Sequence, residues 1–90
     1  MMTVTDDEIL AAIGVLGRSM GIFAEPAGAT AFAGLTKAVH EGLVASDEVV
    51  VALMTGSGLK DTESAMRAAG EAIRIGPTLS DVVEALNARR

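Results

Sequence analysis

The stretch Val49-Val-Val-Ala-Leu-Met54, followed at once by Thr55-Gly-Ser-Gly58, constrains this chain more than any other feature. Six consecutive apolar residues fit a strand covered on both faces, because a strand with one wet face alternates apolar and polar side chains. Strands covered on both faces belong to parallel or mixed sheets flanked by helices, so the run predicts an α/β fold. In such sheets ligands collect beyond the carboxyl ends of the strands, where Thr55, Gly56, Ser57 and Gly58 stand. The glycine pattern itself is weak evidence for a nucleotide. Asp61 occupies the place of the third glycine in a dinucleotide fingerprint, and no Gly-Lys-Ser/Thr follows for a P-loop. A tight turn that holds no ligand is the plain alternative.

With 90 residues the chain makes one small domain, burying only about 60 to 65% of its unfolded surface. Half of it is apolar, yet Phe23 and Phe32 are its only aromatic residues, so the interior is built from Ala, Val, Leu, Ile and Met. That composition suits helices packed closely on a sheet that continues beyond this chain. A net charge of −5, with seven Lys and Arg scattered along the sequence, offers nucleic acid no basic surface. The absence of cysteine removes disulfides and thiolate chemistry, and one histidine makes no histidine metal cluster. His40 reads as a solvated residue near a helix carboxyl terminus. No apolar run approaches a membrane span and the amino end lacks a basic signal start, so the chain reads as soluble and cytoplasmic, with no membrane partner.

Thr5-Asp-Asp-Glu8 is a capping-box signature that predicts a helix start. Ile9, Ile13, Leu16 and Met20 recur at helical spacing, and Gly21 supplies a left-handed stop. Ile22-Phe-Ala24 reads as a brief extended link. Pro26 suits a first helical position, predicting a second helix from Pro26 to about Glu41 with Gly42 as terminator. Its opening, Ala27-Gly-Ala-Thr-Ala31, leaves little side-chain bulk, which fits either tight packing or the close approach of a flat ligand. Beyond Asp61, residues 62–69 fit a short helix or an irregular segment, and Ala72 to Ile75 an edge strand. Pro77-Thr-Leu-Ser-Asp81 resembles a further helix start, with Val82, Val83 and Leu86 on one face and Arg89-Arg90 at the end. One confident strand without a confident partner does not close a sheet. The expected architecture is therefore a partial three-layer fragment over residues 1–90, amphipathic helices packed on a short parallel or mixed sheet.

Three segments together resemble one family: Asp6-Asp-Glu-Ile-Leu10, Gly21-Ile-Phe-Ala-Glu-Pro-Ala-Gly-Ala-Thr-Ala-Phe-Ala-Gly-Leu35, and Leu53-Met-Thr-Gly-Ser-Gly-Leu-Lys-Asp61. Their order, spacing and content are similar to the carboxyl-terminal part of threonine synthases, pyridoxal-phosphate enzymes of the tryptophan-synthase-β fold type. The resemblance covers residues 5–61. It departs at Gly28, where the family usually has Ser, and at Ser57, where many members have His. The resemblance implies pyridoxal phosphate as cofactor, with Thr55 as partner of the ring nitrogen and Glu25, Pro26 and Ala27 lining the pocket. Gly56 and Gly58 would shape the turn that aims Thr55. A neutral hydroxyl donates to a pyridine nitrogen without keeping it protonated, which suits elimination and replacement chemistry.

The family's cofactor-bearing lysine and phosphate loop lie upstream of the matched segments, and Lys37 and Lys60 fit neither, so both read as solvated side chains. No catalytic residue is expected in these 90 residues, and the chain alone is expected to be inactive. Its implied partner is the lysine-bearing amino-terminal part of the enzyme or a second chain, with self-association through exposed apolar faces. Two other functions stay open: a segment of a threonine or serine dehydratase or cysteine-synthase-like enzyme, and a non-catalytic association module.

Overall fold

The computed structural model describes residues 1–89, and Arg90 lies outside them. Four α-helices form among these residues: α1 (Asp6–Met20), α2 (Pro26–His40), α3 (Thr62–Ala69) and α4 (Leu79–Ala88), with a 3-10 turn at Gly58–Lys60. Local chemistry accounts for the start of α1. The Thr5 hydroxyl accepts from the Glu8 N–H at 3.2 Å while the Glu8 carboxylate accepts from the Thr5 N–H at 2.8 Å, which satisfies two of the helix's otherwise unpaired donors. Asp6, Asp7 and Glu8 in the first turn and Arg18 in the last complement the helix dipole. Gly21, at φ +66°, ends the helix, and the Ile22 N–H closes back on the Leu16 carbonyl at 3.2 Å. Pro26 starts α2 as expected, without a side-chain cap from Glu25.

The core is the seam between α1 and α2. Ala12, Ile13 and Leu16 from α1 meet Ala29 and Ala33 from α2, with Ala24 of the link closing one end. The spacing of 12, 13 and 16 places those residues on one face, and the alanines opposite let the helix axes approach closely. Among the described residues Leu16 is the one large side chain almost fully enclosed, at 1% exposure. Met20, which shares the helical spacing, lies beyond the seam and is exposed. The weakly signalled segment after Asp61 is a helix: the Asp61 carboxylate accepts from the Ser64 N–H at 3.0 Å and from its hydroxyl at 2.7 Å. At α4 the Thr78 and Asp81 side chains form a second capping box, yet this helix buries no residue.

The predicted α/β architecture is overturned. Among the described residues there is no strand and no sheet, hence no three-layer arrangement; the one β-type pairing is an isolated antiparallel bridge between Ala24 and Ser57. Residues 49–54 adopt no regular secondary structure and pair with no strand, and residues 72–75 form no edge strand. The physical reason is that six apolar residues become a strand only where another strand supplies hydrogen bonds, and none lies beside them. Residues 50–53 border one shallow groove with Ala31, Gly34 and Leu35 of α2. Val49, Val51 and Leu53 are 95%, 80% and 73% exposed. The radius of gyration, 16.6 Å, exceeds the roughly 12 Å of a fully packed domain of this length.

The caps also set a pH dependence. The Thr5 N–H bond, with lesser help from Lys37, holds the Glu8 carboxyl below its ordinary pKa despite some desolvation. The Ser64 N–H and hydroxyl, with Arg67 nearby, do the same for Asp61. A carboxyl whose folded pKa is depressed contributes stability above its unfolded value and loses it as pH falls through the folded value. The urea midpoint should therefore change little through these groups between pH 7 and 5 and decline below about pH 4. Glu8→Gln, measured across the same range, should flatten part of that decline.

Candidate functional site

Two segments far apart in sequence meet beside the amino end of α2. The Gly58 N–H donates to the Phe23 carbonyl at 3.0 Å and the Glu25 N–H to the Gly56 carbonyl at 3.3 Å, flanking the Ala24–Ser57 bridge. Residues 23–28 and 55–58 thus form one small surface. Beyond it the Ser57 hydroxyl accepts from the Leu59 N–H at 3.2 Å, starting the 3-10 turn that leads to the cap of α3.

Gly56 has φ +76°, a left-handed value that favours glycine, and a β-carbon there would overlap the Glu25 carboxylate. That carboxylate lies over the turn, with Lys60 Nζ 3.9 Å from its Oε1. At Gly28 a β-carbon would overlap the Thr55 carbonyl oxygen and lie 2.7 Å from the carbonyl carbon. At Gly58 it would overlap the Phe23 ring. The turn is seated by contacts that only missing side chains permit.

All five residues singled out for the pocket lie at this junction. Glu25 and Pro26 are half-buried, while Ala27, Thr55 and Gly56 are exposed. Among the described residues no side-chain hydrogen bond engages Thr55, whereas Thr30 and Thr36 both donate to carbonyls within α2. The Thr55 hydroxyl thus keeps both its donor and its acceptor capacity. Three residues at the junction escaped the pocket assignment. Phe23, Gly28 and Gly58 matter through contact between segments about thirty residues apart, at which the low bulk of residues 27–31 and the expected turn role of Gly58 hinted. Lys37 is less solvated than expected: its Nζ donates to the Thr3 carbonyl at 2.9 Å and lies 3.6 Å from Glu8 Oε1. His40 is exposed at the end of α2, and the groove between α1 and α2 that it borders, about 400 Å³, contains none of the five.

The model of the pyridoxal-phosphate dependent enzymes matches residues 1–56, and the chain belongs to that family. Pyridoxal phosphate is the cofactor of the family. Among curated proteins, the threonine synthase of Methanocaldococcus jannaschii is 50% identical over 72 residues, 80% of this chain and 18% of that enzyme. That of Mycobacterium leprae is 47% identical over 66 residues, covering 73% of this chain and 18% of the relative. That of Methanosarcina acetivorans is 40% identical over 84 residues, 93% of this chain and 21% of the relative. The chain thus spans about a fifth of the length of these relatives. Among the described residues no helix is long and apolar enough to cross a membrane.

The junction fits one edge of such a cofactor. A neutral hydroxyl without an internal partner suits a pyridine nitrogen, and the exposed Ala27 adds little bulk at the amino end of α2. The other edges find no counterpart here, because Lys37 is tied to Thr3 and Glu8, and Lys60 reaches out beside Glu25.

Proposed function

We propose that this chain forms the ring-nitrogen wall of a threonine-synthase-like enzyme that converts O-phosphohomoserine and water to threonine and phosphate. The observation that carries the reading is the meeting of residues 25–28 with residues 55–58, the two segments that match the family's pocket, which seats the backbone of Thr55 and Gly56 against the amino end of α2. The identity with threonine synthases over most of the chain favours this member of the family over its dehydratase and cysteine-synthase-like relatives.

In this reading Thr55 donates to the cofactor's ring nitrogen, Glu25, Pro26 and Ala27 line the adjacent wall, and Gly56 holds the turn that carries Thr55. Bound pyridoxal phosphate supplies the electron sink for the reaction. A neutral donor at the nitrogen keeps that sink moderate, in keeping with lyase chemistry at the β and γ carbons. The lysine that carries the cofactor and the groups that hold its phosphate come from the lysine-bearing amino-terminal part of the enzyme or from a second chain. The exposed faces of Val49, Val51 and Leu53 support docking on that part. The enzyme acts in the cytoplasm as part of threonine biosynthesis.

The purified chain, given pyridoxal phosphate and O-phosphohomoserine, should release no phosphate above a heat-treated control. Adding the lysine-bearing part of a threonine synthase truncated before the matched segment should restore release. Turnover by the chain alone would overturn the reading, as would failure of a demonstrably formed complex to bind the cofactor.

A further inference from the structure

We propose that Gly28, a residue with no side chain to offer a ligand, is the positioning residue that sets where the Thr55 hydroxyl stands. This rests on the reading of Thr55 as the partner of the ring nitrogen. The Thr55 carbonyl sits in the space a β-carbon at position 28 would fill, against the first turn of α2. Its main-chain nitrogen is also close, 3.2 Å from that same point. The whole Thr55 peptide therefore lies on Gly28, and the side chain leaves an α-carbon fixed on both sides by that seat.

The next residues repeat the arrangement. The Gly56 carbonyl is held by the Glu25 N–H and the Gly58 N–H by the Phe23 carbonyl, while the Phe23 ring covers Gly58. Gly34, in the same helix, provides the contrast, because a β-carbon there meets nothing within 4 Å. Backbone atoms give way less readily than the end of a side chain. In this chain a methyl group at 28 displaces residues 55–56 from their seat on α2, breaking the Glu25–Gly56 bond and moving the hydroxyl with its backbone, whereas the Ser that the family usually has there calls for a turn seated farther out.

Two measurements separate this role from the reading beneath it. In the chain itself, Gly28→Ala should lower the hydrogen-exchange protection of the Glu25 and Gly58 amides roughly three- to tenfold, the worth of a lost hydrogen bond. Amides within α1 and in the later turns of α2 should keep their rates, and Gly34→Ala should leave the junction unchanged. Gly58→Ala meets only the half-exposed Phe23 ring, a side chain able to turn aside, and should lower protection less than Gly28→Ala.

In the complex with the lysine-bearing part, cofactor affinity and the absorption band of the bound cofactor should shift alike in Gly28→Ala and Thr55→Val. The double variant should fall within about twofold of the weaker single one, because both changes remove the same hydrogen bond. Unchanged exchange at Glu25 and Gly58 in Gly28→Ala would overturn the proposal. So would loss of the α1–α2 helices in that variant, or multiplicative losses in the double variant. Thr55→Val with parental affinity and spectrum, beside altered exchange in Gly28→Ala, would show instead that the reading of Thr55 had failed while the seat stood.

Discussion

Leu16→Ala is expected to remove most of the chain's cooperative unfolding transition. Among the described residues Leu16 is the one large side chain almost fully enclosed, and the residues around it are chiefly alanines held in two helices, which collapse poorly into the space a lost isobutyl group leaves. Leucine-to-alanine changes at such sites cost about 2 to 5 kcal/mol, against a total stability of roughly 5 to 15 kcal/mol for ordinary small domains. A core of six buried residues, four of them alanine, belongs at or below the lower end of that range. Helical circular dichroism followed through a urea titration should show an early, shallow transition in Leu16→Ala. Val15→Ala, one residue away on the exposed side, should leave the midpoint within experimental error. Equal sensitivity at the two positions would show that the α1–α2 seam is not the core.

Thr55→Val should weaken pyridoxal phosphate in the complex with the lysine-bearing part by roughly 5- to 150-fold. Valine keeps the branched shape and removes the hydroxyl, so a ring nitrogen buried against it loses its donor, at a cost of about 1 to 3 kcal/mol. Thr55→Ser, which keeps the hydroxyl, should restore most of the affinity. Titration of the cofactor's visible absorption measures both. Equal binding by the parent and Thr55→Val would remove Thr55 from the site.

The parts of this structure that were legible in the sequence are those determined within a few residues. The Thr5–Glu8 box, the Gly21 stop, the Pro26 start and the Thr78 start of α4 each close through contacts between near neighbours, and each appears where the pattern places it. Asp61 capping Ser64 is of the same kind, although α3 has only eight residues and buries none of them. Val49–Met54 failed for the opposite reason. An apolar run records that a segment belongs under cover, while a strand exists only through a partner, and the partner is not in these residues. Resemblance singled out Glu25, Pro26, Ala27, Thr55 and Gly56, and the bond from the Glu25 N–H to the Gly56 carbonyl joins the two short segments that contain them. Gly28, Gly58 and Phe23 act through the volume they leave or cover, which periodicity does not reveal.

The Ala24–Ser57 bridge carries a kinetic consequence. Helices α1 and α2 meet across a five-residue connection, whereas the bridge closes a loop of roughly thirty residues, costing about 1.5 kcal/mol more in chain entropy. Its two hydrogen bonds return only about 1 kcal/mol each. The helical pair therefore forms first, and the turn carrying Thr55 closes over it late and reopens while the pair stays intact. Substitutions in the turn belong to the class that hastens opening and leaves the rate of folding almost untouched. Whatever binds across the junction acts as a latch on this last step, drawing its hold from a closure that the chain by itself completes only narrowly.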